Sequence, residues 1–152
     1  MKRRLPLLAA LVALILTACQ APSSTELFVA AGERAADGYH FSLTLDTAQR
    51  YDFSFYAALV GRKLPSEPLP LTVTWLSPSR KPFTETLWLD LNGRRDSWFS
   101  RQLLAPYRRD VSVAEPGVWE LTIALRETPA LTGLGLRVEK TNDDGTRQTP
   151  QI

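Results

Sequence analysis

From residue 39 onward the chain alternates. Tyr39, Phe41, Leu43 and Leu45 are separated by His40, Ser42 and Thr44, and the same period of two returns in Tyr51, Phe53, Phe55, Ala57 and Leu59. Successive side chains of an extended strand point to opposite sides, so the pattern predicts strands with one dry face and one wet face. Leu69, Leu71, Val73 and Trp75 repeat it against Pro70, Thr72 and Thr74. A further strand is expected from Phe83 to Leu91, and Trp119, Leu121, Ile123 and Leu125 make the clearest case. Leu134, Leu136 and Val138 close the series, and Glu26 to Ala31 reads as a first strand. Val111 and Val113 suggest a short strand stopping at Glu115-Pro116-Gly117, whereas Asp96 to Tyr107 fits a strand, a loop or one short helical turn.

Turn formers separate these runs. Gly32 to Gly38, residues 62–68 with their two prolines, Ser77 to Pro82, Asn92-Gly93 and the stretch through Pro129 and Gly133 all break a ladder. No stretch beyond residue 19 keeps a helical period for three turns. Seven or eight short strands split in this way predict an all-β fold, an antiparallel two-sheet β-sandwich. Jelly-roll and immunoglobulin-like strand orders both satisfy the pattern.

The first residues carry a different signal. Lys2, Arg3 and Arg4 precede the apolar run Leu7 to Leu16, which is too short to span a bilayer at about 20 residues. Leu16-Thr17-Ala18-Cys19 follows directly and holds the only cysteine. A leucine and two small residues before a cysteine mark the cleavage site of a lipoprotein signal peptide, so residues 1–18 are expected to be removed and Cys19 to carry a covalent lipid. Each buried CH₂ contributes about 0.8 kcal/mol, so several acyl chains hold a protein on a membrane without a spanning helix. Gln20 stands where an aspartate would argue for the inner membrane, and no acidic run follows. The expected location is the outer membrane, facing the periplasm.

The expected organisation is therefore a signal peptide (1–18), a lipidated cysteine and flexible tether (19–25), a sandwich domain (26–140) and a polar tail (141–152). Removing the leader leaves 134 residues, enough for one domain with a single core, and shifts the formal charge from +2 to −1. That balance gives no argument for nucleic-acid binding.

Residue types for chemistry are sparse. The one histidine, His40, falls on a wet face, and a histidine base with a nucleophile beside it is the usual requirement of a hydrolase. No nucleophile elbow, phosphate-binding glycine loop or zinc-type Cys/His cluster occurs in the sequence. Asn142-Asp143-Asp144-Gly145 lacks the alternate spacing of a calcium loop and reads as a turn. Glu85, Asp90, Asp96 and Glu120 are the acids a sugar-cleaving pair would draw on, but acids on the wet face of strands serve solubility. The expectation is a protein without catalytic residues, metal or cofactor beyond the lipid on Cys19. Among the tryptophans, Trp75 and Trp119 share parity with aliphatic neighbours and belong to the core. Trp88 has the opposite parity from Leu87 and Leu89, and Trp98 sits among Asp96, Ser97 and Ser100. These two are the candidate contacts for a partner or ligand.

Pro106-Tyr107-Arg108-Arg109-Asp110-Val111, Pro116-Gly117-Val118-Trp119-Glu120-Leu121 and above all Leu131-Thr132-Gly133-Leu134-Gly135-Leu136-Arg137-Val138-Glu139-Lys140 resemble the gliding-motility lipoprotein H family (GldH) of Bacteroidota. Leu134 and Val138 replace the Val and Ile of that family's closing stretch, and Leu125-Arg126 stands where it has a Met-Arg pair. The resemblance extends loosely upstream through Asp46 to Tyr51 and Asp96 to Trp98, while the family's early tryptophan and a strand asparagine are absent. It implies a lipid-anchored β-sandwich that works with envelope proteins of the gliding machinery, with no catalytic residues to carry over. The alternative from another class is a lipid-anchored module that binds carbohydrate or peptide through Trp88 or Trp98.

Overall fold

The alternating runs are strands in the computed structural model, which describes residues 24–60, 68–89, 101–126 and 131–141. They are β1 (Ser24–Ala30), β2 (Tyr39–Leu45), β3 (Arg50–Leu59), β4 (Leu69–Leu76), β5 (Pro82–Leu89), β6 (Arg101–Ser112), β7 (Gly117–Leu125) and β8 (Leu131–Thr141). A 3-10 turn at Ala31–Glu33 is the one helical element among the described residues. Two four-stranded sheets form, ordered β1-β8-β3-β6 and β2-β7-β4-β5, and every neighbouring pair is antiparallel. Successive strands swap sheets everywhere except in the β4–β5 hairpin. That double Greek key is a jelly roll, which decides between the two strand orders the sequence leaves open.

Parity decides what lies between the sheets. Tyr39, Phe41, Leu43 and Leu45 of β2 and Leu71, Val73 and Trp75 of β4 face Tyr51, Phe53, Phe55 and Ala57 of β3, and all are buried in one core. Phe53 meets Trp75 edge-to-face across the interior, with ring centroids 5.2 Å apart. Truncating a ring such as Phe53 to alanine costs about 3–5 kcal/mol in a core of this kind.

Three elements differ from the sequence expectation. Ser24 and Thr25, read as tether, are the first residues of β1, paired with Glu139 and Val138, so the folded part starts earlier than its composition suggests. Thr141 extends β8 beyond the expected boundary, held opposite Arg50. The third is β6, a single strand of 12 residues that takes in both Leu103-Leu104 and Val111. Its register against β3 shifts twice, between Ser54 and Phe53 and again between Phe53 and Tyr51. Each shift inserts one extra residue into β6, so the two bulges cancel and Leu103 and Val111 still face the core. Pro106 is tolerated because β6 is an edge strand.

The strand directions sort the ends of the sandwich. One end gathers the starts of β1, β3, β5 and β7 together with the turns 46–49, 77–81 and 113–116. The opposite end gathers the starts of β2, β4, β6 and β8. Ser24 therefore stands at the first end and Trp88, next to the last residue of β5, near the second.

Candidate functional site

Edge strands β5 and β6 belong to different sheets and run side by side along one flank. Glu85 of β5 pairs in register with Val73, a wholly buried residue, so its side chain starts on the dry side of the sheet. The sequence reading that gives this acid to a wet face does not hold. Three donors meet it: Tyr107 Oη donates to Glu85 Oε1, Arg108 Nε donates to the same oxygen at 3.1 Å, and Arg108 Nη2 donates to Oε2 at 2.7 Å. Trp75 Nε1 in turn donates to Tyr107 Oη at 2.9 Å. A regular strand would send Tyr107 and Arg108 to opposite faces. The bulge opposite Phe53 turns both toward Glu85.

Burial pushes the Glu85 carboxyl up, but the hydrogen bonds from Arg108 and Tyr107 outweigh it and hold the group below its ordinary value. Burial, with the neighbouring carboxylate second, pushes the Tyr107 hydroxyl up to about 12. The Arg108 guanidinium lies 5.7 Å from the Phe83 ring centroid and 5.6 Å from that of Tyr107, a cation–π arrangement on both. These groups clamp one sheet to the other. Glu85 is ionised with its oxygens already engaged, which suits it to hold the flank together and not to pass protons.

Beside the clamp lies a groove of about 320 Å³ with a largely apolar wall. Leu45, Phe53, Trp75, Val111, Val113 and Trp119 form it, with Phe83 and Arg108 toward the flank. Two turns beside it are tied to each other and to Trp119. Trp119 Nε1 donates to the Glu115 carbonyl at 3.1 Å, and Ser79 Oγ donates to Glu115 Oε1 at 2.7 Å. Arg80 adopts a left-handed conformation (φ 64°) to close the β4–β5 turn. A groove of this size accepts an apolar group of modest bulk and offers it aromatic surface.

Trp88 is 68% exposed on the outer face of its sheet, opposite Pro70, as its parity predicts. Cys19, Trp98, Asp90, Asp96 and the Asn142–Gly145 stretch lie outside the described residues. Glu120, on β7, is exposed and ion-paired with Arg80 at 3.5 Å, and β4 separates it from Glu85, so the structure does not bring these two acids together. His40 is bonded to Asp37 at 2.7 Å and to Thr122 at 3.3 Å on the wet face of β2. Among the described residues no group of three or more His, Cys, Asp or Glu side chains is placed to hold a metal.

The sequence does not mark the groove or the clamp as a site. Glu85 shares odd parity with Leu87 and Leu89, and that inward carboxylate was the one available signal. No protein-family model matches the chain, and no curated protein matches it either.

Proposed function

We propose that this chain is an envelope lipoprotein of the gliding-motility H type, a non-enzymatic subunit whose lipid on Cys19 holds a jelly-roll domain at the outer membrane while the domain binds partner proteins. The observation that carries this reading is the Leu16-Thr17-Ala18-Cys19 site together with the closing stretch Leu131 to Lys140. Gly133 and Gly135 of that stretch lie under the rings of Phe28 and Tyr56, where any side chain would strike them, so the two glycines serve the packing of a sandwich. Trp88 supplies an exposed indole of the kind that anchors protein interfaces.

The test is a photo-crosslinking amino acid at position 88 in cells, beside the Cys19→Ala variant. The reading expects one envelope protein to be captured by the anchored form and Cys19→Ala to be released from membranes with its fold intact. Cys19→Ala sedimenting with membranes like the wild type would contradict it.

A second reading has its own observation. Trp88 stands beside threonines at 72, 74, 84 and 86 on the same outer face, and an indole among hydroxyls suits stacking on a sugar ring. A shift of tryptophan emission on adding envelope glycans, absent in Trp88→Ala, would favour this carbohydrate-binding role over protein capture.

A further inference from the structure

We infer that the end of the sandwich carrying Ser24 sits on the bilayer, with the aromatic groove opening onto the acyl chains of membrane phospholipid. This inference rests on the anchor at Cys19 proposed above. Five peptide units join Cys19 to Ser24 and span at most about 18 Å. The longest strand, β6, spends two of its 12 residues in bulges and runs alongside the ten residues of β3, which at about 3.3 Å each measure about 33 Å. A tether of about half that length cannot let the sandwich stand on its far end with Ser24 lifted away from the membrane while Cys19 stays in it. The end that bears Ser24 is the one kept at the lipid surface.

The groove belongs to that same end. Leu45 closes β2, Val111 and Val113 lie at the end of β6, and Phe83 and Trp119 lie at the starts of β5 and β7. Across the sheet, β1 and β6 are three strand spacings apart, about 14 Å. The lining at this end therefore lies within about 14 Å of the strand that carries Ser24, less than the tether's own reach. Phe83 and Val118 are 54% and 52% exposed at this end, and Val60, Trp88 and Leu104 are as exposed toward the other, so it is the groove beside Phe83 and not exposure alone that distinguishes this end. Charge is mixed here, with Arg80, Lys81 and Lys140 set against Asp46, Glu115 and Glu120. Apolar contact, not attraction to anionic headgroups, is thus the driving term, and the docking tolerates salt. Trp88, near the other end, is turned away from the bilayer toward the space where a partner is met.

The experiment uses the lipidated full chain with Trp88→Phe and Trp98→Phe, so that emission comes from Trp75 and Trp119. It is reconstituted into neutral phosphatidylcholine vesicles with or without bromine on the acyl chains. Expected is a loss of emission in brominated vesicles that persists at high salt and is largely abolished by Phe83→Glu, with far-ultraviolet spectra unchanged. Protein that floats with the vesicles but keeps its emission overturns the docking while leaving the anchor standing. Protein that does not float removes the anchor and the docking with it. Quenching that survives Phe83→Glu overturns the role of the groove.

Discussion

At the scale of single residues, Glu85 shows how an inward acid is made acceptable. An ionised carboxylate on the dry side of an edge strand loses hydration, and Arg108 and Tyr107 return that loss through charge-assisted bonds. An inward charge also discourages a foreign strand from pairing with β5. The pH dependence follows from the two shifts. Because the folded value of Glu85 is lowered, its contribution is present above the ordinary 4.5 and is lost as pH falls through the lowered value. Because the Tyr107 value is raised, its contribution is present below 10 and is lost as pH rises through about 12. Urea unfolding across pH should show Glu85→Gln flattening the acid limb and Tyr107→Phe flattening the alkaline one. Glu85→Ala, which strands Tyr107 and Arg108, should cost about 1–3 kcal/mol at pH 7. The exposure of Trp88 was legible because parity alone fixes it. The clamp was not, because it joins residues 22 positions apart through a bulge that parity does not announce.

At the scale of elements, β8 shows which sequence patterns carry packing information. Its alternation of Leu134 and Leu136 with Gly133 and Gly135 puts leucines inward and leaves bare backbone outward. Phe28 of β1 and Tyr56 of β3 both pair with Gly135; the Phe28 ring covers Gly133 and the Tyr56 ring covers Gly135, nearly parallel with centroids 5.8 Å apart at 14°. Aromatic cover of this kind offsets what glycine loses in a strand. Gly135→Ala should push the Tyr56 ring aside and lower stability by about 1 kcal/mol. In a Tyr56→Ala background the same change should cost clearly less, and chemical denaturation of the four proteins of that double-mutant cycle measures the coupling. Additive costs would mean that the rings do not depend on the bare backbone. The glycines of β8 were visible in the sequence but their purpose was not, since both partners come from distant strands. The extent of β6 was hidden for a related reason. Arg108, Arg109 and Asp110 interrupt its alternation, and the second bulge is held by Asp110 at φ 56°, whose N–H donates to Asp52 Oδ1 at 2.8 Å and whose carboxylate pairs with Arg50.

At the scale of the whole molecule, strand number and inward faces follow from alternation, whereas strand order does not. A strand carries on its own surface the choice of which side to bury, but β3 finds β8 and β6 only by pairing across much of the chain. Nothing local separates a jelly roll from another Greek key. The order nevertheless has consequences for function, because it gathers the start of β1, the aromatic groove and three turns at one end and leaves Trp88 near the other. If Cys19 is the point of attachment, the jelly roll is a spacer with a lipid-facing foot and a displayed far end. The most direct check is mass spectrometry of the mature protein's N-terminal peptide from cell envelopes. The account predicts a chain beginning at Cys19 with a diacylglyceryl thioether on its sulfur; a mature chain beginning elsewhere, or a free thiol at Cys19, would contradict it.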